Sequence, residues 1–132
     1  VRDRSILICD DEVEIVEELA EFFHSCGWQV RLACTGADAK RILLEGGCRD
    51  VLLTDLRLDD VDGSSLVTFS SELPAGKRPQ LHAIMTGYVV ENTTAEELGA
   101  DALYLKPVDP LALVKDVEHR LALRDKAAPE DG

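Results

Sequence analysis

Five short apolar runs, at residues 5–9, 28–33, 51–54, 81–85 and 102–105, alternate with stretches of helical periodicity. Runs this short fit strands buried on both faces, bounded by the polar segments that follow each one. A chain built as repeated β–α units makes a mostly parallel sheet, and right-handed crossovers then lay helices against both faces. The expected class is therefore α/β with a doubly wound sheet. At 132 residues the chain is one domain of ordinary size, able to bury about two thirds of the surface it exposes when unfolded. Residues 1–126 form that domain in this reading, and residues 127–132 form a mobile tail or linker stub.

The helical stretches carry their own start and stop signals. The first places Ile15, Leu19, Phe22 or Phe23, and Cys26 on one stripe and ends at Gly27. The second opens at Thr35, whose hydroxyl can cap it while Asp38 occupies the capping-box position; Ile42 and Leu43 supply its buried stripe. A third runs from about Gly63 to Leu73 with Leu66 and Phe69 inward, and Pro74 and Pro79 mark its exit. The fourth, from Asn92 to Leu98, has only about two turns before Gly99. The fifth has Asp109 as cap, Pro110 at the first helical position, and Leu113, Val117 and Leu121 in one stripe.

Charge narrows the range of partners. With 14 Lys+Arg against 26 Asp+Glu the formal charge is -12, which repels a phosphate backbone and makes a cation or basic partner the better fit than nucleic acid. Cys9, Cys26, Cys34 and Cys48 form no CxxC pair and sit mostly among apolar residues, so they read as small buried hydrophobes in a reducing cytoplasm. The apolar run after Val1-Arg2-Asp3-Arg4 is too short for a signal peptide, and no stretch is long enough to span a membrane.

The chemistry lies where the strand runs stop. Asp10-Asp11 ends the first, Asp55 the third, Thr86 the fourth, and Lys106-Pro107 follows the fifth. Parallel sheets place their sites at the carboxyl ends of strands, so three carboxylates, a hydroxyl and an ammonium are expected at one edge. Crowded carboxylates repel unless compensated. Mg²⁺, a hard cation held by one or two carboxylates plus phosphate oxygens, suits such a pocket. Asp55 stands alone and is the candidate nucleophile for an aspartyl phosphate. Lys106 would neutralise charge on the phosphoryl oxygens, Thr86 would donate a hydrogen bond to one, and Asp10 and Asp11 suit the cation. The bland reading makes each residue a turn former or cap, with Asp11 capping the first helix. Their joint placement at strand ends favours the chemical reading. Asp59, Asp60 and Asp62 lack the spacing of an EF-hand and read as a solvated loop.

These residues resemble the receiver domain of two-component response regulators from Ser5 to about Arg124. The family's acidic pair is similar to Asp10-Asp11, its phosphoacceptor to Asp55, its hydroxyl to Thr86 and its Lys-Pro to Lys106-Pro107; Asp62-Gly63 and Gly99-Ala100-Asp101 also look like family turns. The resemblance implies a flavodoxin-like fold with five strands in the order 2-1-3-4-5 and about five helices. It implies Mg²⁺ on Asp11, Asp55 and the main-chain carbonyl of Arg57, with Asp10 acting partly through water. The implied donor is a phosphohistidine on a sensor histidine kinase or phosphotransfer protein, and the implied listener is a partner or a C-terminal output domain. Such a module catalyses its own phosphorylation and dephosphorylation without being a turnover enzyme. Arg57 and Tyr88 would flank the path of the attacking water.

Three departures stand out. Leu103 occupies the place of the family's aromatic switch residue, with Tyr104 on the opposite strand face; Leu58-Asp59 stands where Met-Pro is frequent; and the segment from Thr86 to Lys106 is short. Switching is therefore expected to act through the short fourth helix, residues 87–98. They also keep a phosphate-independent, receiver-like interaction module as the alternative. A flavin- or nucleotide-binding enzyme lacks its GxGxxG or GxxxxGK[ST] loop here, and an aspartyl-phosphate phosphatase would need an acid where Arg57 stands.

Overall fold

Alternation along each strand sends successive side chains to opposite faces, and this chain uses both faces for its core. The computed structural model describes residues 3–87 and 94–127. Its elements run β1 (Ser5–Cys9), α1 (Val13–Ser25), β2 (Gln29–Ala33), α2 (Gly36–Leu44), β3 (Val51–Asp55), α3 (Gly63–Ser71), β4 (Leu81–Thr86), a 3-10 turn (Glu96–Leu98), β5 (Ala102–Leu105) and α4 (Pro110–Ala127). The strands form one parallel sheet in the order β2-β1-β3-β4-β5, which is the flavodoxin-like order expected.

Ile6, Ile8, Leu53 and Met85 pack against Val16, Leu19, Phe23, Leu113, Val117 and Leu121 on the face covered by α1 and α4. Leu7, Cys9, Leu52 and Ile84 pack against Ile42, Leu43, Leu66 and Val67 on the face covered by α2 and α3. The central strands are buried almost throughout, whereas β2 and β5 are edges and only partly buried, as double coverage of a parallel sheet requires.

The observed helices follow the expected caps more closely than the expected faces. Thr35 Oγ1 accepts from Asp38 N at 3.1 Å and caps α2, while the Asp38 carboxylate pairs with Arg41 instead of closing a capping box. Asp109 accepts from Ala112 N at 3.2 Å and caps α4. Asp11 does not cap α1, whose N-cap is Glu12. On α1 the buried stripe is Val16, Leu19 and Phe23, with Phe22 exposed; on α3 it is Leu66, Val67 and Ser70, with Phe69 only partly buried. Cys26 and Cys34 are exposed, so only Cys9 and Cys48 are the buried hydrophobes expected. Of the fourth helix, the described part is the single 3-10 turn, closed by Gly99 at φ 74°. Residues 88–93, including Tyr88, and the tail 128–132 lie outside the described residues. No described helix is long and apolar enough to cross a membrane.

Candidate functional site

The strand order reverses between β1 and β3, because β2 lies beyond β1 on one side and β3, β4 and β5 follow on the other. Open α/β sheets form a crevice at such a point. Here it falls between Asp10-Asp11 and Asp55, since Cys9 pairs with Thr54 across the two strands. Carboxylate oxygens of Asp10, Asp11 and Asp55 lie within 4.8 Å of one another. Beside them opens a cavity of about 390 Å³ lined by Glu12, Asp55, Leu56, Arg57, Thr86 and Lys106 among others.

Lys106 is delivered by the register of the edge strand. Thr86 pairs with Leu105, and Lys106 N donates to the Thr86 carbonyl at 2.8 Å. Its side chain then crosses to the centre of the sheet, where Nζ donates to Asp10 Oδ2 at 2.7 Å and stands 3.4 Å from Asp55 Oδ1 and 3.8 Å from Glu12 Oε1. Asp10 is fully buried, and its other oxygen accepts from Glu12 N at 3.0 Å.

One ammonium does not balance this charge. Burial, with the Asp10 charge added, raises the Asp55 carboxyl above its ordinary value despite opposition from Lys106. Burial likewise raises Asp11, joined by the charge and hydrogen bonding of Asp59 and then by Asp10 and Asp55. Burial pulls the Lys106 ammonium down, but its hydrogen bond to Asp10 and the attraction of Asp10 and Asp55 outweigh this and leave it raised. The pocket is short of positive charge, which is the donor chemistry that a hard divalent cation fits.

Asp10, Asp11, Asp55, Thr86 and Lys106 thus come to one edge, and Arg57 lines the same cavity. Asp59, Asp60 and Asp62 are exposed, as expected of a solvated loop, but two of them have specific partners. Asp59 neighbours Asp11, and Asp60 accepts from Gly36 N at 2.9 Å and Ala37 N at 3.0 Å, which hold its carboxyl below the usual range. Glu12, which lies 3.8 Å from Lys106 Nζ, is a residue of the site that the sequence does not point to. Gly63 begins α3 so close to β3 that an added Cβ would collide with the Asp55 carbonyl. The Asp62-Gly63 pair was a visible signal of that turn, whereas nothing in the spacing of Asp60 points to α2.

A five-stranded parallel sheet with its acidic crevice at the switch point defines a receiver-like α/β domain. Residues 6–118 match the response regulator receiver domain family, and the chain belongs to that family. It is 33% identical over 116 residues to the transcriptional regulatory protein GltR of Pseudomonas aeruginosa, covering 87% of this chain and 48% of that protein. The chain therefore spans about half the length of that relative. A CheY-like receiver domain protein of Methanospirillum hungatei JF-1 shares the fold at TM-score 0.82 and 24% identity, over 96% of this chain and all of that one. The Saccharomyces cerevisiae receiver domain of Ssk1, co-crystallised with the histidine phosphotransfer protein Ypd1, is similar at TM-score 0.74 and 23% identity, over 87% of this chain and 86% of that one.

Proposed function

We propose that this domain accepts a phosphoryl group on Asp55 from a phosphohistidine of a sensor histidine kinase or phosphotransfer protein and so switches a partner or output surface. The observation that carries the reading is the cluster of Asp10, Asp11 and Asp55 within 4.8 Å, with Lys106 reaching into it. An Asp55 oxygen attacks phosphorus as the P–N bond breaks, and the donor imidazole leaves neutral after taking a proton. Lys106 pairs with the phosphoryl oxygens and Thr86 donates to one of them. Asp11, Asp55 and the Arg57 main-chain carbonyl would hold Mg²⁺, with Asp10 acting partly through water. That cation supplies positive charge where the phosphoryl oxygens gather. Water later attacks the aspartyl phosphate and releases phosphate, so the domain acts on itself and turns over no other substrate.

The yeast complex of a receiver domain with a phosphotransfer protein supports the choice of donor class. GltR, a transcriptional regulator of which this chain covers 48%, supports a regulatory role within a longer protein. The four free cysteines are in keeping with a reducing cytoplasm. Acetyl phosphate with Mg²⁺ tests the reading: intact mass should show one added phosphoryl group, stable in acid and labile in base, that is absent from Asp55→Asn. A chain that takes no label under these conditions is the phosphate-independent interaction module instead.

A further inference from the structure

The loop of residues 56–62, which carries Arg57 along the cavity, contains no proline, so hydrogen bonds set its course. Leu58 N donates to the Val61 carbonyl at 3.1 Å, Gly63 N to the Leu56 carbonyl at 2.6 Å, and Arg57 bridges to Asp62. These bonds close the loop on itself. They do not fix where it sits relative to β1 and Asp11. At its start Leu56 N donates to the Met85 carbonyl of β4 at 2.8 Å, and the tie to α2 comes from Asp60, whose two carboxylate oxygens take the amides of Gly36 and Ala37 at 2.9 and 3.0 Å.

Those amides are the first two of α2 and have no partner within their own helix. A carboxylate there gains two charge-assisted bonds and faces the positive end of the helix. The approach is close enough that a Cβ at Gly36 would displace the Val61 methyl. Asp60 is thus bonded to the start of α2 at the surface, three residues before the α3 glycine that abuts the Asp55 carbonyl.

We infer that Asp60 is a positioning residue of the pocket, clamping loop 56–62 to the start of α2 and thereby keeping Arg57 and Asp59 in register with Asp55 and Asp11. The inference rests on the proposed phosphoryl chemistry for its consequence but on the metal-free loop for its existence. Removing the clamp leaves the carboxylates in place and lets the loop drift.

Three variants separate positioning from simple helix capping. Thr35→Ala removes the other cap of the same helix without touching the loop. Asp60→Ala removes the clamp, and Asp60→Asn restores one of its two acceptor bonds. In the metal-free chain, hydrogen exchange at the Leu58 and Gly63 amides should quicken in Asp60→Ala, less so in Asp60→Asn, and stay unchanged in Thr35→Ala. Mg²⁺ affinity, followed by amide chemical shifts at a temperature where all variants are folded, should weaken about tenfold in Asp60→Ala, the usual cost of losing a supporting partner. Labelling by acetyl phosphate should slow at limiting Mg²⁺ and recover in part at saturating Mg²⁺. Unchanged loop exchange in Asp60→Ala, or equal quickening in Thr35→Ala, overturns the clamp. A wild-type chain that takes neither Mg²⁺ nor phosphoryl overturns the proposed function instead, while the metal-free exchange still decides the clamp.

Discussion

Two fully buried aspartates sit at opposite ends of the same sheet and have opposite surroundings. Asp50, just before β3, accepts from Ser5 N at 2.7 Å, Gln80 Nε2 at 3.2 Å and Arg4 Nη1 at 3.3 Å, so the starts of β1, β3 and β4 are stitched to one carboxylate. Asp10, just after β1, has Lys106 at 2.7 Å but shares it with Asp55, and the carboxylates of Asp11 and Asp55 both lie within 4.8 Å of it. At the first end the chain supplies every partner the charge needs. At the second it gathers more negative charge than it balances. Like charges held together cost folding free energy, and their collection in a crevice beside a cavity is the arrangement on which the proposed chemistry rests.

The largest expected contrast is in labelling. Asp55→Asn should abolish phosphoryl uptake from acetyl phosphate, whereas the folded fraction of Asp50→Ala should label at the wild-type rate, both read by intact mass. Uptake that survives in Asp55→Asn would move the nucleophile to another residue. The next contrast is in stability, and it runs the other way. Removing Asp50 leaves buried donors and a cation without their acceptor, which should cost about 3 kcal/mol in urea unfolding. A loss near zero would show that the stitch is dispensable and the comparison false.

A smaller effect with reversed sign is expected at the site. Asp11→Asn relieves repulsion and should raise the stability of the metal-free domain by on the order of 1 kcal/mol, a usual gain when a functional site is neutralised. Adding Mg²⁺ should then stabilise the wild type by mass action and leave the variant nearly unmoved. A destabilised Asp11→Asn in metal-free buffer would mean that Asp11 is a satisfied structural group after all.

The smallest effect is in pH. Asp11 and Asp55 are raised above 3.8, first by burial and then by neighbouring carboxylates, so their contribution to stability is full below 3.8 and is lost as pH rises through the folded values. His82, near the opposite end, is lowered from 6.5 by burial, with Arg78 and Arg124 assisting and Asp101 opposing. Its contribution is therefore present above 6.5 and is lost as pH falls through its folded value. Its ring nitrogen Nε2 lies 2.8 Å from Ser70 Oγ in a buried pair. Urea midpoints should fall as pH drops below 6.5 in the wild type and fall less in His82→Gln. Parallel pH curves for the two proteins would remove His82 from the account.

Much of the fold could be read directly because each strand announces itself. The apolar runs at residues 5–9 and 102–105 are β1 and β5 to the residue. Asp55 and Thr86 were placed just beyond their runs and prove to be the last residues of β3 and β4, so the functional groups extend the strands themselves. Helix faces were less legible. Phe22 and Phe23 are chemically identical, and only the packing of Phe23 edge-on to Trp28, with ring centroids 5.1 Å apart, selects which one is buried.

The sequence by itself determined the β–α repeat, the caps at Thr35 and Asp109, and the arrival of carboxylates, hydroxyl and ammonium at strand ends, because these depend on local periodicity and on where apolar runs stop. Tertiary structure alone decided the rest. That Lys106 crosses to Asp10 depends on strand register, over a separation of 96 residues. That Asp60 serves α2 while Asp59 faces Asp11 depends on how one loop packs between two elements distant in the chain. A carboxylate in a polar loop has no periodicity to betray its partner; only the folded path of the backbone brings the amides of Gly36 and Ala37 within its reach.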